Sequence, residues 1–459
     1  MLSQLLQPEI IELLKERKLS TLKEVLNDWD PTDLASLISQ IPEKERVILF
    51  RLLKQDLATE TFEFLEVEQQ IELIKAMGNG EVASILNEMA PDDRTALFEE
   101  LPSSAVKQFV RMLSAEERKV AQTLLGYPED SVGRLMTPDY IAVKSEWTIA
   151  ESLKYIRENG EDSETLNIIF VVDEKGKLID DLKIRELIFA EPENKISDLM
   201  DKNFVALHVK DDQETAVDVF KQYDRIALPV IDKNELLLGI VTVDDVLDVA
   251  EEEATEDIQK IGGVKALEES YSKISIFQMM KKRAGWLSIL FIGELFTASA
   301  MGYFEIEISK AIILVLFVPL IISSGGNSGS QASTLVIRAL SIGEIKLNDW
   351  FFVMKREIIS GIILGSILGI LGFIRILVGN FTSDIFGIHW FPLALTISVS
   401  LFSVVLWGTL AGSMLPIILK KMGVDPAVAS APLVATLVDV TGLVIYFSVA
   451  ILFLSGTLL

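Results

Sequence analysis

The chain has 459 residues, of which 50% are hydrophobic, and its 42 lysines and arginines face 67 aspartates and glutamates. The formal net charge of −25 excludes a typical nucleic-acid binder, because basic side chains are needed to neutralise a phosphate backbone. With no cysteine and two histidines, the chain has no disulfides, thiolate metal sites or multi-histidine sites. The length suggests several domains.

Charge is divided unevenly along the chain. The residues after position 283 carry eight basic and nine acidic side chains, so nearly all the net negative charge lies on the first 283 residues. A uniform globular protein does not separate charge in this way. The sequence therefore predicts an acidic part and a very apolar part, joined near residue 283.

Residues 1–127 are predicted to form an acidic, all-helical N-terminal domain. Apolar residues recur at helical spacing in 48–53 and in 82–86. Proline with aspartate recurs in 30–33 and 90–93, where proline fits a first helical turn and aspartate caps it. Such repeated helix starts suggest helical hairpins stacked in a small solenoid, and an irregular helical bundle is the alternative.

Residues 128–250 contain an internal repeat. One copy runs from Gly133 to Leu187, and the second from Ser197 to Leu247. In each copy a Leu-Met pair precedes a short strand, a helix, two apolar strands and a closing helix. This order predicts an α/β module and resembles a tandem pair of CBS domains.

The second copy carries the more specific CBS motif. Residues 239–246 resemble the G-x-(V/L)-(S/T)-x-x-D signature, which implies that Thr242 and Asp245 hold the ribose of an adenine nucleotide, with ATP as the candidate. The corresponding positions of the first copy are Asp180, Lys183 and Glu186. Since lysine has no hydroxyl, no nucleotide is expected in that copy. A dimerising hinge without a nucleotide is the alternative.

Residues 251–283 are predicted to form an acidic linker helix that leads to the first membrane span. Eight carboxylates lie within fourteen residues, namely Asp244, Asp245, Asp248, Glu251, Glu252, Glu253, Glu256 and Asp257. Carboxylate oxygens suit Mg²⁺ and Ca²⁺, and a divalent cation cancels the repulsion between them. The run is therefore predicted to sense divalent cations, and a solvated helical face is the alternative.

Residues 284–459 are predicted to be a membrane domain of five transmembrane helices. The apolar stretches are 284–304, 311–335, 358–379, 391–418 and 428–455. Each is long enough, since about 20 apolar residues span a bilayer core as a helix. Buried helices of a soluble protein are the alternative, but five in succession would leave no polar shell.

Basic residues near the span ends predict the orientation. One side has nine, namely Lys281, Lys282, Arg283, Arg338, Lys346, Lys355, Arg356, Lys420 and Lys421, and the other has only Lys310 and Arg375. We expect the N-terminus in the cytoplasm, the C-terminus outside, and a multi-pass protein of the cell membrane. The polar start of the chain predicts no cleavable signal peptide.

The second span contains a polar segment, residues 323–331, rich in glycine and serine. Irregular backbone at membrane depth is tolerated only where it is packed in protein or lines a cavity. The polar Asn327 and Gln331 favour a break that lines a cavity, with Gly325 and Gly326 beside them. Close helix packing through small residues is the alternative.

The fifth span contains one acidic residue, Asp439. A charged residue at this depth costs about 2.5–3.5 kcal/mol on insertion scales, and no lysine or arginine lies at comparable depth. Attracting a cation is its simplest role, with Ala435 and Thr436 about one turn earlier. Pro432 is expected to loosen a helical turn nearby, and Glu294 in the first span is a second intramembrane acid.

The whole chain resembles the MgtE family of magnesium channels. The most specific motifs are residues 124–128 with 133–137, 325–327, and 425–442. The resemblance implies a homodimer with a central pore, and a hydrated Mg²⁺ recognised at Asp439. It also implies that cytosolic Mg²⁺ bound between domains holds the pore shut, which makes Asp92 and Asp93 candidate ligands together with the linker acids.

The expected function is that of a Mg²⁺-selective channel that imports magnesium and closes when Mg²⁺ binds its acidic cytosolic domains. A divalent-cation carrier under CBS regulation, for example one coupled to Na⁺, is the alternative. The chain has no His-Glu-x-x-His, Gly-x-Ser-x-Gly or phosphate-binding loop, so we expect no enzymatic activity. The expected partners are Mg²⁺, membrane lipid and a second copy of the chain, and not nucleic acid.

Overall fold

The computed structural model describes residues 2–267, 271, 274–383 and 386–459. These residues form two compact units, Met1–Glu251 and Glu252–Leu459. The first unit contains short helices and two small sheets, and the second contains long apolar helices. The predicted fold class is therefore confirmed.

The N-terminal part is a stack of short helices. In chain order they are α1 (Leu2–Lys15), α2 (Leu19–Leu26), α3 (Pro31–Ser39), α4 (Glu43–Phe50), α5 (Gln55–Glu63), α6 (Val67–Ala76), α7 (Asn79–Glu88), α8 (Pro91–Glu99), α9 (Ser103–Met112) and α10 (Ala115–Leu124). From α2 onward a helix begins every twelve residues. Alternate helices pack together, as α3 does with α5 and α5 with α7. This regular stacking agrees with the solenoid rather than the irregular bundle.

A side chain that recurs every 24 residues ties successive hairpins together. Each member donates to a backbone carbonyl in the last turn of the preceding helix: Arg46 to Ile38, Gln70 to Phe62, Arg94 to Leu86 and Arg118 to Val110. Such carbonyls have no partner inside their own helix. Arg94 is fully buried, and its guanidinium pairs with Glu117.

The second half of this unit repeats one α/β motif twice. Its elements are α11 (Val132–Leu135), β1 (Ala142–Lys144), α12 (Ile149–Asn159), β2 (Ile168–Val172), β3 (Leu178–Lys183), α13 (Ile184–Phe189), β4 (Leu207–His208), α14 (Gln213–Tyr223), β5 (Ala227–Ile231) and β6 (Leu237–Thr242). The sheets have the orders β1-β2-β3 and β4-β5-β6, and each contains one parallel and one antiparallel pair. The predicted internal repeat is thus present.

Helix α15 (Val243–Ile261) begins directly after β6 and contains the whole acidic run. It ends where Gly262 and Gly263 follow, and Gly263 has φ +73°, a conformation that favours glycine. Residues 276–283, which the sequence analysis assigned to the linker, belong instead to the first membrane helix. Part of the predicted linker, residues 268–270, 272 and 273, lies outside the described residues.

The described residues of the second unit form six further α-helices. They are α16 (Ile276–Tyr303), α17 (Glu305–Lys310), α18 (Val318–Ser341), α19 (Trp350–Ser383), α20 (Trp390–Lys421) and α21 (Ala431–Leu454). Within the described ranges, five helical segments are long and apolar enough to cross a membrane. They correspond to α16, α18, α19, α20 and α21, and this confirms the predicted multi-pass architecture.

Two expectations about the membrane helices are wrong. Helix α18 runs unbroken through residues 323–331, because its small residues allow close packing on α20. A Cβ on Gly412 would lie 2.0 Å from the backbone oxygen of Gly329, so the two backbones touch. Pro432 lies in the first turn of α21, where its missing N–H breaks no helical hydrogen bond and loosens no turn.

Candidate ion pathway and regulatory sites

The half-buried carboxylate of Asp439 lies on α21, about one helical turn beyond Ala435. The backbone of α18 faces both residues at Gly326. A Cβ on this glycine would lie 3.6 Å from the Ala435 Cβ and 3.6 Å from the Asp439 Oδ1. The structure therefore brings together three of the predicted pore residues, and it leaves room beside the carboxylate because Gly326 has no side chain.

A second carboxyl group reaches this place from α16. The side chain of Glu294 lies near enough to that of Asp439 for the two carboxyl groups to interact. Next to it, α16 packs closely on α21, since a Cβ on Gly293 would lie 2.6 Å from the Thr436 methyl group. Neither acid forms an ion pair with a lysine or arginine in the part of the chain that the structure describes. A cation at this point would therefore meet uncompensated carboxyl oxygens.

A polar stripe runs along the exposed side of α18. Ser323, Asn327 and Gln331 follow one another at one-turn spacing, and all three are exposed in the single chain. The Asn327 amide nitrogen lies 3.4 Å from the Ser323 hydroxyl. Polar side chains at membrane depth face protein or water and not lipid. The stripe is therefore a surface that needs protein or water against it.

Gly325 differs from its neighbours in role. A Cβ at this position would lie 2.4 Å from Val404 Cγ1 and 2.8 Å from Val438 Cγ1. Gly325 therefore packs α18 against α20 and α21, and does not lie beside the Asp439 carboxylate. Of the three predicted residues in this segment, Gly326 lies next to Asp439 and Asn327 lies on the polar stripe.

An acidic cluster joins the helical domain to the CBS pair inside the first unit. Asp92 and Asp93 stand in the first turn of α8, and Asp245 stands in the first turn of α15. Burial, with the charges of Asp245 and Asp93 nearby, raises the pKa of Asp92 well above its usual range. Burial and the Glu63 charge raise the pKa of Asp93 to about 8. Burial raises the pKa of Asp245 to about 7.

Two members of this cluster were missed by the sequence analysis. Glu63 ends α5, and its charge acts on Asp93, while the charge of Glu164 acts on Asp92, Asp93 and Asp245. Glu63 also accepts a hydrogen bond from the Ala90 N–H at 2.9 Å. Both residues are far in sequence from Asp245, and Glu164 is also far from Asp92 and Asp93, so only the three-dimensional arrangement places them near the others.

The acidic cluster does not form a closed metal cage. Among the described residues, no three acidic or histidine side chains converge as a preformed metal site. Asp244, Asp248, Glu251 and Glu252 lie on exposed parts of α15. Divalent cations in this region would therefore be held by few carboxylates and by water. This mode of binding suits Mg²⁺, which keeps several of its waters in protein sites.

The end of the acidic run makes contacts inside the second unit. Glu256 Oε1 lies 2.7 Å from the Lys260 Nζ. The Asp257 carboxylate accepts a hydrogen bond from the Ser341 hydroxyl at 2.7 Å. Of these two acids, both predicted as part of a single sensor, Asp257 therefore contacts α18, whereas Glu256 pairs within α15.

The predicted nucleotide residues lie side by side. The Thr242 hydroxyl donates to the Asp245 carboxylate at 2.6 Å. In the first CBS copy the equivalent of the motif glycine, Asp180, is fully buried and accepts a hydrogen bond from the Lys202 N–H at 3.0 Å. The first copy thus fills the position with a structural carboxylate.

Taken together, five membrane helices, an intramembrane acid on the last of them and a tandem CBS pair define a regulated cation transporter of the membrane. Family models agree with this class. The MgtE model, described as a divalent cation transporter, matches residues 318–449, and the MgtE intracellular N domain matches 29–130. The CBS domain model matches residues 132–193 and 196–252.

Relatives cover the chain almost completely. The magnesium transporter MgtE of Thermus thermophilus is 38% identical over 97% of this chain and 98% of its own length. The magnesium transporter MgtE of Bacillus subtilis is 32% identical over 97% of this chain and 96% of its own. The chain belongs to the MgtE family of magnesium transporters, as the sequence predicts, and Mg²⁺ is the ion that this family transports.

Solved structures resemble the N-terminal half. The cytosolic domain of the Mg²⁺ channel MgtE in complex with ATP is 35% identical, with a TM-score of 0.51, and covers 53% of this chain and 99% of its own. The soluble part of a magnesium transporter is 26% identical, also with a TM-score of 0.51, and covers 55% of this chain and 99% of its own. Both agree with the helical domain and CBS pair described above.

Proposed function

We propose that this chain forms a homodimeric, Mg²⁺-selective channel that imports magnesium and closes when Mg²⁺ binds its acidic cytosolic domains. The observation that carries the proposal is the position of Asp439 beside Gly326, adjoining the exposed polar stripe of α18. An uncovered polar stripe in a membrane helix requires protein or water against it. A two-fold axis next to α18 supplies both, since it places two identical stripes around one aqueous path.

The ion in this path is recognised as a hydrated cation. Each subunit contributes one Asp439 carboxylate, with the Ala435 backbone nearby, so that the path carries a small anionic ring. Mg²⁺ sheds water reluctantly, and carboxylates that accept hydrogen bonds from its inner waters bind it without full dehydration. Glu294 adds a second carboxyl from α16. Membrane potential drives entry by about 4.6 kcal/mol per divalent ion at 100 mV.

The orientation follows from basic residues at the helix ends. Lys281, Lys282 and Arg283 lie near the start of α16, Arg338 lies in the last turn of α18, and Lys420 and Lys421 end α20. Because successive spans alternate in direction, these three ends share one side of the membrane. An excess of basic residues marks the cytoplasmic side, so the N-terminus is cytoplasmic and the C-terminus lies outside.

Gating rests on the acidic cluster between the helical domain and the CBS pair. Because burial and neighbouring charges raise the pKa values of Asp92, Asp93 and Asp245, ionising these carboxylates together is costly. Protons or divalent cations relieve this repulsion. At low Mg²⁺ the ionised domains repel one another, and at high Mg²⁺ bridging hydrated ions hold them together and close the pore through α15.

The second CBS copy is the proposed nucleotide site. Thr242 and Asp245 present a hydroxyl and a carboxylate next to each other, which suits the two hydroxyls of a ribose. The ATP complex of a related cytosolic domain supports the same assignment. ATP binding by the purified protein that is lost in Thr242→Val, and retained in Lys183→Gln of the first copy, would bear this out.

Single-channel recording tests the proposed transport mode. Purified protein in a planar bilayer should carry unitary Mg²⁺ currents that stop when Mg²⁺ is raised on the cytosolic face. A carrier is too slow to give resolvable unitary currents. Mg²⁺ flux that depends on a Na⁺ gradient and produces no such currents would contradict the channel and support a Na⁺-coupled carrier.

A further inference from the structure

Lys260, in the last turn of α15, lies between two carboxylates of the second unit. Its Nζ is 2.7 Å from Glu256 Oε1, one turn earlier on the same helix, and 2.7 Å from Asp425 Oδ2. Asp425 follows α20 and begins the short 3₁₀ turn Pro426–Val428 that precedes α21. Burial works against the charge of Lys260, but hydrogen bonds from these two carboxylates raise its pKa overall. The lysine therefore stays charged and joins α15 to the entrance of α21.

The two carboxylate oxygens of Asp425 accept hydrogen bonds from different donors. Oδ1 accepts a hydrogen bond from the Ala427 N–H at 2.8 Å, which caps the 3₁₀ turn, and Oδ2 accepts from Lys260. The turn itself is fixed, because Ala427 and Ala429 are fully buried and the Ser333 hydroxyl donates to the Ala429 carbonyl at 2.7 Å. The position of Lys260 is therefore linked through a rigid turn to the start of the helix that carries Asp439.

The same end of α15 makes three other contacts with the membrane unit. Asp257 pairs with Ser341 at 2.7 Å, and Ile261 packs against the buried cluster of Ile337, Ala427 and Ala429. At Gly263 a Cβ would lie 2.8 Å from the Trp286 ring, so the chain leaves the helix through a space that admits only glycine. These contacts show that the end of α15 packs against the membrane helices and the turn before α21. Lys260 supplies the positive charge at this contact.

The charge of the helix explains why a cation is needed there. Eight carboxylates lie between residues 244 and 257 of α15, and Lys260 is the only basic residue in Val243–Ile261. Docking such a helix against Asp425 would bring like charges together. An ammonium group that hydrogen-bonds to a carboxylate on each side removes that repulsion, and charge-assisted bonds of this kind are stronger than neutral ones.

We propose that Lys260 is a positioning residue, a counter-cation that holds the end of α15 against Asp425 at the entrance of α21. This inference rests on the proposed function in one respect, namely that the docked end of α15 belongs to the closed channel. It adds that the contact between the end of α15 and Asp425 depends on a cation that the protein itself supplies.

Thiol cross-linking in the full-length protein tests the docking directly, and the chain contains no native cysteine. Asp257→Cys and Ser341→Cys form the reporter pair, joined by a short bifunctional thiol reagent in membranes at high Mg²⁺. We expect Lys260→Gln to slow cross-linking about fivefold, as is typical when a coupled contact is lost. Lys260→Arg should keep the rate of the reporter. Unchanged cross-linking in Lys260→Gln would overturn the proposal.

Lys265→Gln is the matched control. Lys265 is exposed and forms no ion pair in the described part of the chain, so its substitution removes the same charge near the same helix end. We expect the reporter rate to stay unchanged in this variant. An equal loss in Lys265→Gln and Lys260→Gln would show a general charge effect and would also overturn the proposal.

A double-mutant cycle shows whether Lys260 acts through Asp425. Asp425→Asn keeps an oxygen for the Ala427 N–H but removes the charge that faces Lys260. We expect Lys260→Gln and Asp425→Asn each to slow cross-linking, and the double variant to slow it no further. Additive losses would contradict an action through Asp425. Cross-linking requires no ion flux, so this test stands apart from the transport assays that decide whether the chain is a Mg²⁺ channel.

Discussion

Gly326 faces Asp439 across the contact between α18 and α21, and a Cβ on the glycine would lie 3.6 Å from the Asp439 Oδ1. Its neighbour Gly325 faces the opposite way, where a Cβ would lie 2.4 Å from Val404 Cγ1. Two adjacent glycines therefore have separate tasks. Gly326 keeps space beside the proposed ion-binding carboxylate, and Gly325 lets three membrane helices pack closely.

Alanine substitutions should separate these two tasks. Gly326→Ala places its methyl group at ordinary contact distance, so we expect the thermal stability to be kept and Mg²⁺ flux to fall because space for the hydrated ion is lost. Gly325→Ala forces the helices apart and should destabilise the protein by about 1–3 kcal/mol. Thermal unfolding in detergent and flux in liposomes check both variants. A stable Gly325→Ala with an unfolded Gly326→Ala would contradict these assignments.

Neutralising the acidic run should remove inhibition by Mg²⁺. Substituting the carboxylates from Asp244 to Asp257 by their amides removes the repulsion between these side chains. It also removes the carboxylate ligands for a divalent cation. We expect currents that persist at high cytosolic Mg²⁺ in patch recordings. Neutralising Glu305 and Glu307 of α17, which the proposed orientation places on the opposite side of the membrane, serves as the control. If Mg²⁺ still inhibits the first variant as strongly as the parent, the run is not the sensor.

The joint between the helical domain and the CBS pair, formed around Asp92, Asp93 and Asp245, should change in stability with pH. Burial raises the pKa of Asp93 to about 8 and that of Asp245 to about 7, above the ordinary value near 4. The packed joint therefore binds protons more strongly than an opened one, and its stability is greatest at low pH and falls as pH rises towards 8. Limited proteolysis without Mg²⁺ should proceed faster at pH 8.5 than at pH 6.

Asp93→Asn provides the control for this pH effect. The amide does not titrate, so the difference in proteolysis between pH 6 and pH 8.5 should shrink. Addition of Mg²⁺ at pH 8.5 should protect the parent protein in the same way as acid does. Faster cleavage at pH 6 than at pH 8.5 in the parent would contradict the sign of the effect.

The buried Arg94 should be essential for the helical stack. Its guanidinium satisfies the Leu86 and Met89 carbonyls and pairs with Glu117. Arg94→Leu leaves these groups without their partner, and breaking a buried pair of this kind costs about 3–5 kcal/mol. Arg118→Leu, at the equivalent and less buried position of the last repeat, should cost less. Thermal unfolding of the two variants compares them, and equal stability would contradict the role of burial.

The features that could be predicted from the sequence are those that depend on local sequence patterns. The five spans follow from long apolar stretches, the CBS pair from a repeated order of elements, and the prominence of Asp439 from the absence of other acids in its span. The 24-residue spacing of Arg46, Gln70, Arg94 and Arg118 was recognised only from their hydrogen bonds, because glutamine in one position weakens the pattern.

Contacts between segments that are distant in the sequence could not be predicted from local sequence patterns. Lys260 and Asp425 are 165 residues apart, and no pattern in either segment names the other. Glu63 and Glu164 join the acidic cluster only because α5 and the first CBS copy come near α8. The predicted break in α18 failed because glycine and serine weaken an isolated helix, whereas close packing against α20 holds this helix straight.

Mg²⁺ uptake by Asp439→Asn in proteoliposomes tests the central claim most directly. Asparagine keeps the size of the side chain and removes its charge, so the variant should fold and elute like the parent. Glu307→Gln, which removes an acid from the short helix α17, is the matched control. Liposomes with this variant should take up Mg²⁺ at the parental rate. We predict no uptake above empty liposomes for Asp439→Asn, and uptake at the parental rate would contradict the account.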